Sequence, residues 1–292
     1  MNERKKQKFV LYYVYIIYLC AYNLLSFNQK TMKNIILKAG ILAVAGFVSL
    51  SSYAQQKEYP EPERMRPGMS EFWLPQPTVI TPGDIKTNSA PSDAIVLFDG
   101  KDLSAWESPR SKGPAEWKVN SDGTFTVDKS KGDIQTKQSF ESYQLHIEWC
   151  IPTNITGESQ GRGNSGVYMQ GKYEIQILDS YQNETYSNGQ TGSIYKQSRP
   201  LVNAMRKPGE WNVYDIIYTA PVFKEDGTYR VPPYITIMHN GIVVQNNTAI
   251  LGTTEYIGFP KVAKHGPGPI LLQSHGDKSE PISFRNIWIR EL

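Results

Sequence analysis

The chain is poor in cysteine, with Cys20 and Cys150 as its only two among 292 residues. Only Cys150 lies beyond the export segment described below, so an internal disulfide is excluded in a processed protein even where the compartment permits one. Its neighbours Trp149 and Ile151 favour a buried structural thiol over a nucleophile. The remaining chain, about 240 residues, has to fold by burying apolar surface, and that length is enough for one domain.

Familiar cofactor signatures are also missing. The sequence has no Walker loop, dinucleotide fingerprint or Gly-x-Ser-x-Gly elbow. It has no basic stripe with interleaved aromatics, which excludes a nucleic-acid partner. Oxygen ligands are present at Asp99, Asp102, Asp133 and Asp179, but their spacing matches neither an EF-hand nor a zinc site. No cofactor is therefore assigned, and a divalent metal stays open.

The first 54 residues contain two apolar runs. The run over 9–27 follows a basic stretch and is just long enough to span a bilayer. The second run, over 39–50, follows a second start at Met32 and ends in Ser52-Tyr53-Ala54, the layout of a secretory signal cleaved after Ala54. We expect translation to begin at Met32 and the protein to be secreted or periplasmic. A true N-terminal membrane anchor is the alternative, and no other membrane contact is expected.

Cleavage would change the sign of the net charge. The formal charge of the whole chain is +3, but seven of its 31 basic residues and one of its 28 acidic residues lie in 1–54. The processed chain would carry 24 basic and 27 acidic residues, a net charge of −3. The basic balance of the whole chain therefore does not indicate an acidic partner.

Two further regions follow the export segment. Residues 55–92 contain seven prolines and no periodicity, which predicts an extended arm because proline suits neither a helix nor a central strand. The cluster Phe72, Trp73 and Leu74 is expected to pin this arm to the domain. A single domain is predicted over 93–292.

That domain has the pattern of an all-β protein. Residues 144–149 alternate polar and apolar side chains, and Asn240-Gly241 between two apolar runs predicts a tight hairpin. No segment has a helical period over ten or more residues. Short strands with Gly and Asn turns predict a β-sandwich or jelly roll of antiparallel sheets.

The first candidate site lies in the segment 163–180. Alternate side chains of a strand share a face, so Glu174 and Gln176 point the same way. Asp179 is out of phase and joins them only if the strand bulges or ends near Leu178. The glycines of 161–166 just before would let a ligand approach closely. A half-exposed polar strand face is the plainer interpretation.

A second candidate site lies in the segment 266–277. Gln273 and His275 share a strand face, and a His at the mouth of a sandwich can act as a general base near neutral pH. A His that hydrogen-bonds a turn is an equally good interpretation of this pattern. His265 could approach the same mouth. Among the many aromatics, Trp106 and Tyr168 are candidates to stack on a sugar ring.

These segments resemble a known family. Residues 97–106 (Leu-Phe-Asp-Gly-Lys-Asp-Leu-Ser-Ala-Trp), 163–180 and 284–288 (Phe-Arg-Asn-Ile-Trp) are similar to the 3-keto-disaccharide hydrolase family. The segments 132–137, 192–195 and 208–212 also fit, so the resemblance covers about 93–292.

The resemblance implies a concanavalin A-like jelly roll that acts on glycosides oxidised at C3. A base would remove the C2 proton, the glycosidic oxygen would leave by β-elimination, and water would add back. On this basis we expect His275 or Glu174 as the base and Asp179 as the acid or a metal ligand. The expected donors to the keto oxygen or hydroxyls are Arg162, Asn164, Gln176 and Gln273.

One position departs from the family pattern, and two other functions remain open. The family has an acid between the Gln and His of the late motif, where this chain has Ser274, so activity or substrate can differ. Glu174 and Asp179 also resemble the acidic pair of jelly-roll endoglucanases, which hydrolyse unoxidised sugars. A non-catalytic, lectin-like carbohydrate-binding module is the alternative from a different class.

Overall fold

The structure is a computed structural model that describes residues 16–17, 64, 66–71 and 74–292. The chain divides into one unit over Met1–Gln76 and a second over Pro77–Leu292. The predicted signal segment and the alternative anchor fall in 1–54, which lies outside the described residues apart from 16 and 17. Phe72 and Trp73 lie outside them as well. Within the described ranges, no helix has both the length and the apolar character to cross a bilayer.

The second unit is built from strands, with no α-helix over 77–292. In chain order the strands are β1 (Ile95–Phe98), β2 (Trp106–Glu107), β3 (Lys118–Val119), β4 (Phe125–Thr126), β5 (Ile134–Thr136), β6 (Tyr143–Cys150), β7 (Ser165–Met169), β8 (Tyr173–Ile177), β9 (Trp211–Thr219), β10 (Val222–Phe223), β11 (Tyr229–Val231), β12 (Tyr234–His239), β13 (Ile242–Ala249), β14 (Leu271–Leu272) and β15 (Ser283–Glu291). Short 3₁₀ turns span Pro67–Ser70, Ser159–Gly161 and Ser187–Gly189.

These strands form two antiparallel sheets and a small ribbon. The larger sheet has eight strands in the order β13-β12-β9-β6-β15-β4-β3, with β1 also paired to β15. The smaller sheet has five strands in the order β2-β5-β14-β7-β8, and β10 pairs with β11 as the ribbon. The prediction of an all-β sandwich of two antiparallel sheets is confirmed.

The core lies between the facing sides of the two sheets. From the larger sheet it receives alternate residues such as Leu145, Ile147 and Trp149, and from the smaller sheet residues such as Ile175 and Ile177, all fully buried. Strand periodicity accounts for this because every second side chain points inward.

Tyrosine hydroxyls from the larger sheet connect the two layers. Tyr214 donates to the Gln176 carbonyl at 2.7 Å, and Tyr218 donates to Gln170 Oε1 at 2.8 Å. Both buried hydroxyls therefore find their acceptors in the smaller sheet or next to it, on β8 and at the turn after β7.

The outer face of β6 is more buried than its polar pattern suggests. His146 and Glu148 point away from the core, yet both are buried. The Trp288 ring stacks on His146, and Arg285 Nε donates to Glu148 at 2.6 Å. The ionic and hydrogen-bonding partners of Glu148 outweigh its burial and hold its pKa down to about 2.

The last part of the predicted arm belongs to the second unit. Asn88 O accepts hydrogen bonds from Asn286 Nδ2 and Trp288 Nε1, both at 3.1 Å. Thr81 and Ser92 are joined by two hydrogen bonds. The compact unit therefore begins at Pro77, inside the region predicted as an extended arm.

The predicted hairpin at Asn240-Gly241 is present between β12 and β13. Both turn residues have positive φ, 54° for Asn240 and 80° for Gly241, and His239 pairs with Ile242 across the turn. Asn and Gly tolerate this left-handed region, which explains why the pair marks the turn so clearly in the sequence.

Candidate active site

Polar side chains cover the side of the five-stranded sheet that faces away from the core. Tyr168 on β7 pairs with Glu174 on β8, and Gly166 pairs with Gln176. Residues opposite one another in antiparallel strands share a face. The neighbours of Glu174 along β8, Tyr173 among them, are fully buried in the core. Glu174 and Gln176 therefore lie together on the polar face, as the strand pattern predicts.

Trp106 is not on this face, and the expectation that it stacks on a sugar is wrong. It pairs with Thr136 on β5, and its ring is fully buried in the core against Phe125. Its Nε1 donates to the Leu97 carbonyl at 2.8 Å. The side chain that β2 turns toward the polar face is the next residue, Glu107. A two-residue strand carries too little alternation for the sequence to fix which residue points inward.

Glu174 sits in a space that a glycine leaves open. A Cβ at position 166 would lie 2.5 Å from Glu174 Oε1 and 2.9 Å from its Cγ. Burial raises the pKa of Glu174 to about 7. The Tyr168 hydrogen bond and the positive charge of Lys196 oppose this shift, while the negative charge of Asp133 adds to it. The carboxyl therefore exchanges its proton near neutral pH, as an acid–base group requires.

Three amide side chains, those of Gln176, Gln160 and Asn164, form a cluster beside Glu174, hereafter the amide cluster. One end of the Gln176 amide lies 3.1 Å from Gln160 Oε1 and 3.4 Å from Asn164 Oδ1. Its other end lies 3.3 Å from Glu174 Oε1. With its oxygen toward Glu174 the amide accepts from a protonated carboxyl, and with its nitrogen there it donates to a carboxylate. Gln176 thus accommodates both protonation states.

Asp179 has a different environment from that expected of a catalytic acid. Strand β8 ends at Ile177, and Asp179 is fully buried beyond that end. Arg162 Nε donates to Asp179 Oδ2 at 2.6 Å, and the Tyr181 amide donates to Oδ1 at 3.1 Å. Both carboxylate oxygens are therefore occupied by a cation and a backbone donor.

The same contacts define the position of Arg162. Its Nη2 donates to the Tyr181 carbonyl at 2.7 Å, so two of its nitrogens are held within the 179–181 turn. The structure therefore gives the pair Arg162 and Asp179 a positioning function at the end of β8. Neither the acid assignment of Asp179 nor the donor assignment of Arg162 receives support from these contacts.

His275 lines an open cleft of about 400 Å³ at the end of β14. Its Nδ1 lies 2.9 Å from Asp277 Oδ2. Asp277 also accepts from Lys129 Nζ at 2.9 Å and from the Ser279 hydroxyl. Burial opposes ionisation of Asp277, but these hydrogen bonds outweigh it and hold the pKa of Asp277 well below its usual range. The Asp277 amide also lies 3.3 Å from Nδ1, so both contacts orient the imidazole. With its proton on Nδ1 directed to the carboxylate, the ring has Nε2 left as a proton acceptor.

Gln273 links this cleft to Glu174. Its Nε2 donates to the Tyr168 hydroxyl at 3.1 Å, and Tyr168 in turn hydrogen-bonds Glu174. Its Oε1 is buried without a hydrogen-bond partner in the structure. An acceptor of this kind at the wall of a cleft suits a sugar hydroxyl.

At Ser274 the resemblance leads us to expect an acid, and a carboxylate is present next to this residue. The Ser274 amide donates to Asp133 Oδ1 at 2.8 Å, and both residues line the cleft. Burial raises the pKa of Asp133. The Ser274 hydroxyl is buried without a partner in the structure, so the position retains an unused polar group.

Sequence reasoning missed Asp277 and Gln160 and considered Asp133 only as a possible metal ligand. Asp277 orients His275 and stands two residues after it, a spacing that could have signalled the pair. Gln160 contacts Gln176 from a 3₁₀ turn, and Asp133 meets Ser274 from the residue before β5, so neither has a local signal. His265, expected near this mouth, instead bonds Tyr173 Oη on the core-facing side of β8 at 2.6 Å.

The metal ligands left open by the sequence are dispersed. Among the described residues, no group of three or more His, Cys, Asp or Glu side chains is arranged to hold a metal ion. Asp179 is bound to Arg162, and Asp99 to Lys101. Burial raises the pKa of the Cys150 thiol, which suits the structural function inferred for it.

Comparison with known proteins adds sequence and fold relatives. A crystal structure from Parabacteroides distasonis ATCC 8503, provisionally named a glycosyl hydrolase, is 70% identical and has a TM-score of 0.76. The alignment covers 79% of this chain and 98% of that one. A second structure from that organism with the same provisional name is 24% identical, covers 68% of this chain and 99% of its own, and has a TM-score of 0.47. No curated protein matches the chain.

The family assignment comes from the sequence profile that matches most of the β-sandwich. The profile described as the 3-keto-alpha-glucoside-1,2-lyase-like domain matches residues 93–290. This range contains Glu174, the amide cluster, and the pair of His275 and Asp277. The chain therefore belongs to the family of 3-keto-alpha-glucoside-1,2-lyase-like domains, the 3-keto-disaccharide hydrolases.

Proposed function

We propose that this domain cleaves 3-keto-glycosides by elimination followed by hydration, and that it does so after export from the cytoplasm. The observation that carries the proposal is the line of polar contacts across one sheet face. It runs from Gln273, which lines the same cleft as His275, through Tyr168 to Glu174. An imidazole in the cleft at one end of this line and a carboxyl at its other end suit a reaction that removes one proton and supplies another.

His275 is the base in this mechanism. A ketone at C3 of a sugar acidifies the C2–H bond, because the electron pair left at C2 delocalises onto the keto oxygen. The neutral imidazole, with its Nδ1 proton directed to Asp277, takes the C2 proton on Nε2. Asp277 stabilises the imidazolium that forms, as a carboxylate does in other His-based catalysts.

Glu174 is the acid. The electron pair from C2 forms the C1–C2 double bond and breaks the bond from C1 to the glycosidic oxygen. That oxygen needs a proton to leave as an alcohol. A carboxyl with a pKa of about 7 is protonated in a large fraction of molecules at neutral pH, whereas an exposed Glu is almost fully ionised there.

Neutral donors and acceptors between the two groups hold the sugar. The Tyr168 hydroxyl and the Gln273 amide lie between the cleft and Glu174. Hydrogen bonds to the keto oxygen strengthen as it gains negative charge in the enolate, which lowers the barrier. In this proposal Asn164 and Gln176 bind hydroxyls at the Glu174 end.

Hydration completes the reaction. Water adds its oxygen to C1 and the imidazolium returns a proton to C2, while deprotonated Glu174 accepts the proton lost by the water. Both groups recover their starting state. The sum is hydrolysis of the glycosidic bond, with no change of oxidation state in the sugar.

Two other functions are less well supported. A retaining glycosidase needs two carboxylates about 5 Å apart that are free to reach the sugar, whereas both oxygens of Asp179 are engaged by Arg162 and Tyr181. A lectin-like module needs no buried Glu of raised pKa and no oriented His. These features favour the enzyme.

Product analysis tests the proposal. The domain is incubated with 3-keto-glucosides and, separately, with unmodified glucosides and β-glucan, each with and without chelator, and the products are identified by NMR. We expect release of the alcohol from the keto-sugar only. Cleavage of unmodified glycosides would establish an ordinary glycosidase, and sugar binding without turnover would establish a lectin.

A further inference from the structure

An exposed apolar loop stands at the Glu174 end of the site. Over residues 251–262, hereafter the rim loop, the tip residues Tyr256, Ile257 and Phe259 are 77%, 81% and 90% exposed. Scattered single apolar residues on a surface are ordinary, but a contiguous cluster of this kind marks a binding surface.

The rim loop is fixed at its base. Thr253 and Lys261 pair as a β-bridge, with the Thr253 amide donating to the Lys261 carbonyl at 2.9 Å. Lys261 Nζ also binds Glu255 at 3.1 Å, and Glu255 accepts from the Thr253 hydroxyl. The two charged side chains of the rim loop, Glu255 and Lys261, therefore pair with each other, so the residues of the tip add no unpaired charge.

Contacts from the loop base reach Glu174 directly. The Glu174 amide donates to Thr254 Oγ1 at 2.9 Å, and the Thr254 amide donates to the Lys172 carbonyl at 2.9 Å. The residue after Thr253 is thus bound to the strand that carries the proposed acid. The apolar tip begins two residues after this contact.

A lysine and two tyrosines connect the tip to the site. Lys196 Nζ donates to the Tyr256 carbonyl and lies 4.7 Å from the centre of the Tyr256 ring. It also lies 5.4 Å from the centre of the Tyr195 ring. The Tyr195 amide donates to the Glu174 carbonyl at 3.1 Å, and its hydroxyl lies 2.6 Å from that of Tyr186. Tyr195, Lys196 and Tyr256 therefore form a run of contacts between the strand that carries Glu174 and the tip.

We propose that the tip of the rim loop is the leaving-group subsite and that it takes an apolar, aromatic aglycone. The inference rests on the proposed function, because that function makes Glu174 the residue next to the departing oxygen. The polar cleft around His275 then holds the sugar, and the group beyond the glycosidic oxygen extends toward Tyr256. Ile257 and Phe259 present no hydrogen-bond donors for a second sugar, whereas they provide contact area for a ring.

The test compares two substrates that differ in aromatic area but have similar alcohols as leaving groups. These are the 2-phenylethyl and ethyl 3-keto-glucosides, prepared as both anomers. The tip variant carries Ile257→Ser and Phe259→Ser. The control variant also replaces two apolar residues by Ser, at exposed positions of β13 in the larger sheet, Ile242→Ser and Val243→Ser.

We expect the native protein to favour the 2-phenylethyl substrate by about tenfold in kcat/KM, the effect of roughly 55 Å² of apolar contact. The tip variant should lose this preference and the control variant should keep it. Equal kcat/KM for the two substrates in the native protein, or a preference that persists in the tip variant, would overturn the inference while leaving the proposed function intact.

Failure of the proposed function gives a different pattern. If neither keto-glucoside is turned over, the subsite is judged by calorimetric binding of unoxidised 2-phenylethyl glucoside. Binding that the tip variant loses and the control variant retains supports the subsite. Absent binding, or binding equal in all three proteins, overturns it.

Discussion

Glu174 Oε1 occupies the space that a side chain at Gly166 would fill, since a Cβ there would lie only 2.5 Å from it. The two residues are on adjacent strands, where Gly166 pairs with Gln176 two positions along from Glu174. Gly166 has no positive φ that would require glycine. Its small size therefore serves the position of the carboxyl rather than the conformation of the backbone.

Gly166→Ala should reduce activity with little effect on stability. The atoms that would clash all belong to the Glu174 side chain, from Cγ to Oε1, and none belongs to the backbone. A change of the Glu174 rotamer can relieve the clash, so we expect a change of less than about 1 kcal/mol in the free energy of unfolding. Displacement of the proposed acid should lower kcat/KM by about 100-fold. Urea unfolding and steady-state kinetics on a 3-keto-glucoside measure the two effects.

Gly161→Ala is the matched control for this change. A Cβ at Gly161 has no atom within 4 Å, and its φ is not positive, so both stability and kcat/KM should stay close to those of the native protein. Equal activity of Gly166→Ala and Gly161→Ala would mean that Glu174 does not need its observed position.

The activity should fall as the pH rises through about 7. Glu174 acts as an acid in the proposed mechanism, so the active form is the protonated one, and this form disappears above its pKa of about 7. We expect kcat/KM to decline about tenfold per pH unit there. In Glu174→Gln, kcat/KM should be low at every pH and should not decline as the pH rises through 7. Activity that instead rises through pH 7 would make Glu174 the base.

Glu174→Gln should also alter how stability depends on pH. The folded-state pKa of about 7 exceeds the usual value of 4.5 for a Glu, so the folded state binds more protons between these values. The contribution of Glu174 to native stability is therefore fully present below about pH 4.5 and falls as the pH rises toward 7, by roughly 3 kcal/mol. The variant lacks this ionisable group. We expect the difference in free energy of unfolding between the native protein and Glu174→Gln to change by that amount between pH 4 and pH 8, measured by urea unfolding at pH 4, 6 and 8. The same difference at all three pH values would contradict the raised pKa.

Asp277→Asn should impair chemistry more than binding. The amide cannot stabilise the imidazolium of His275, so we expect kcat to fall at least about 100-fold with a much smaller change in KM. The split between kcat and KM separates this effect from a structural one, since a displaced loop would weaken substrate binding as well.

Ser279→Ala provides the comparison for Asp277→Asn. It removes the hydrogen bond that the Ser279 hydroxyl donates to Asp277 and the one that it accepts from the Gly163 amide, and it leaves the contact between Asp277 and His275. Its loss of kcat should be only a few-fold. Equal losses in the two variants would indicate that Asp277 serves only to hold the local loop.

Much of the fold was accessible from the sequence because strand periodicity and turn chemistry are local. The alternation over 144–149 and the Asn240-Gly241 turn each predict their element correctly. The same periodicity places Glu174 and Gln176 on one face. Short strands such as β2 carry too few residues to show a period, which is why the orientation of Trp106 was predicted wrongly.

The parts that could not be predicted depend on contacts between distant segments. Asp133 meets Ser274 across paired strands, and Lys129 binds Asp277 from a turn nearly 150 residues earlier. The Asp179 carboxylate bonds Arg162 because β8 ends just before it. No local sequence pattern predicts these pairings. They determine which acidic side chains are free to act on a substrate.

The most direct measurement of the central claim is the exchange of the C2 proton during turnover. The domain is incubated with a 3-keto-glucoside in D₂O, and deuterium at C2 of the released sugar and of the unreacted substrate is measured by NMR, corrected for an enzyme-free control. The account predicts deuterium at C2 of the product, with loss of both exchange and cleavage in His275→Ala. In Glu174→Gln it predicts exchange into the substrate that outpaces cleavage. Cleavage that leaves the C2 proton in place would contradict the account.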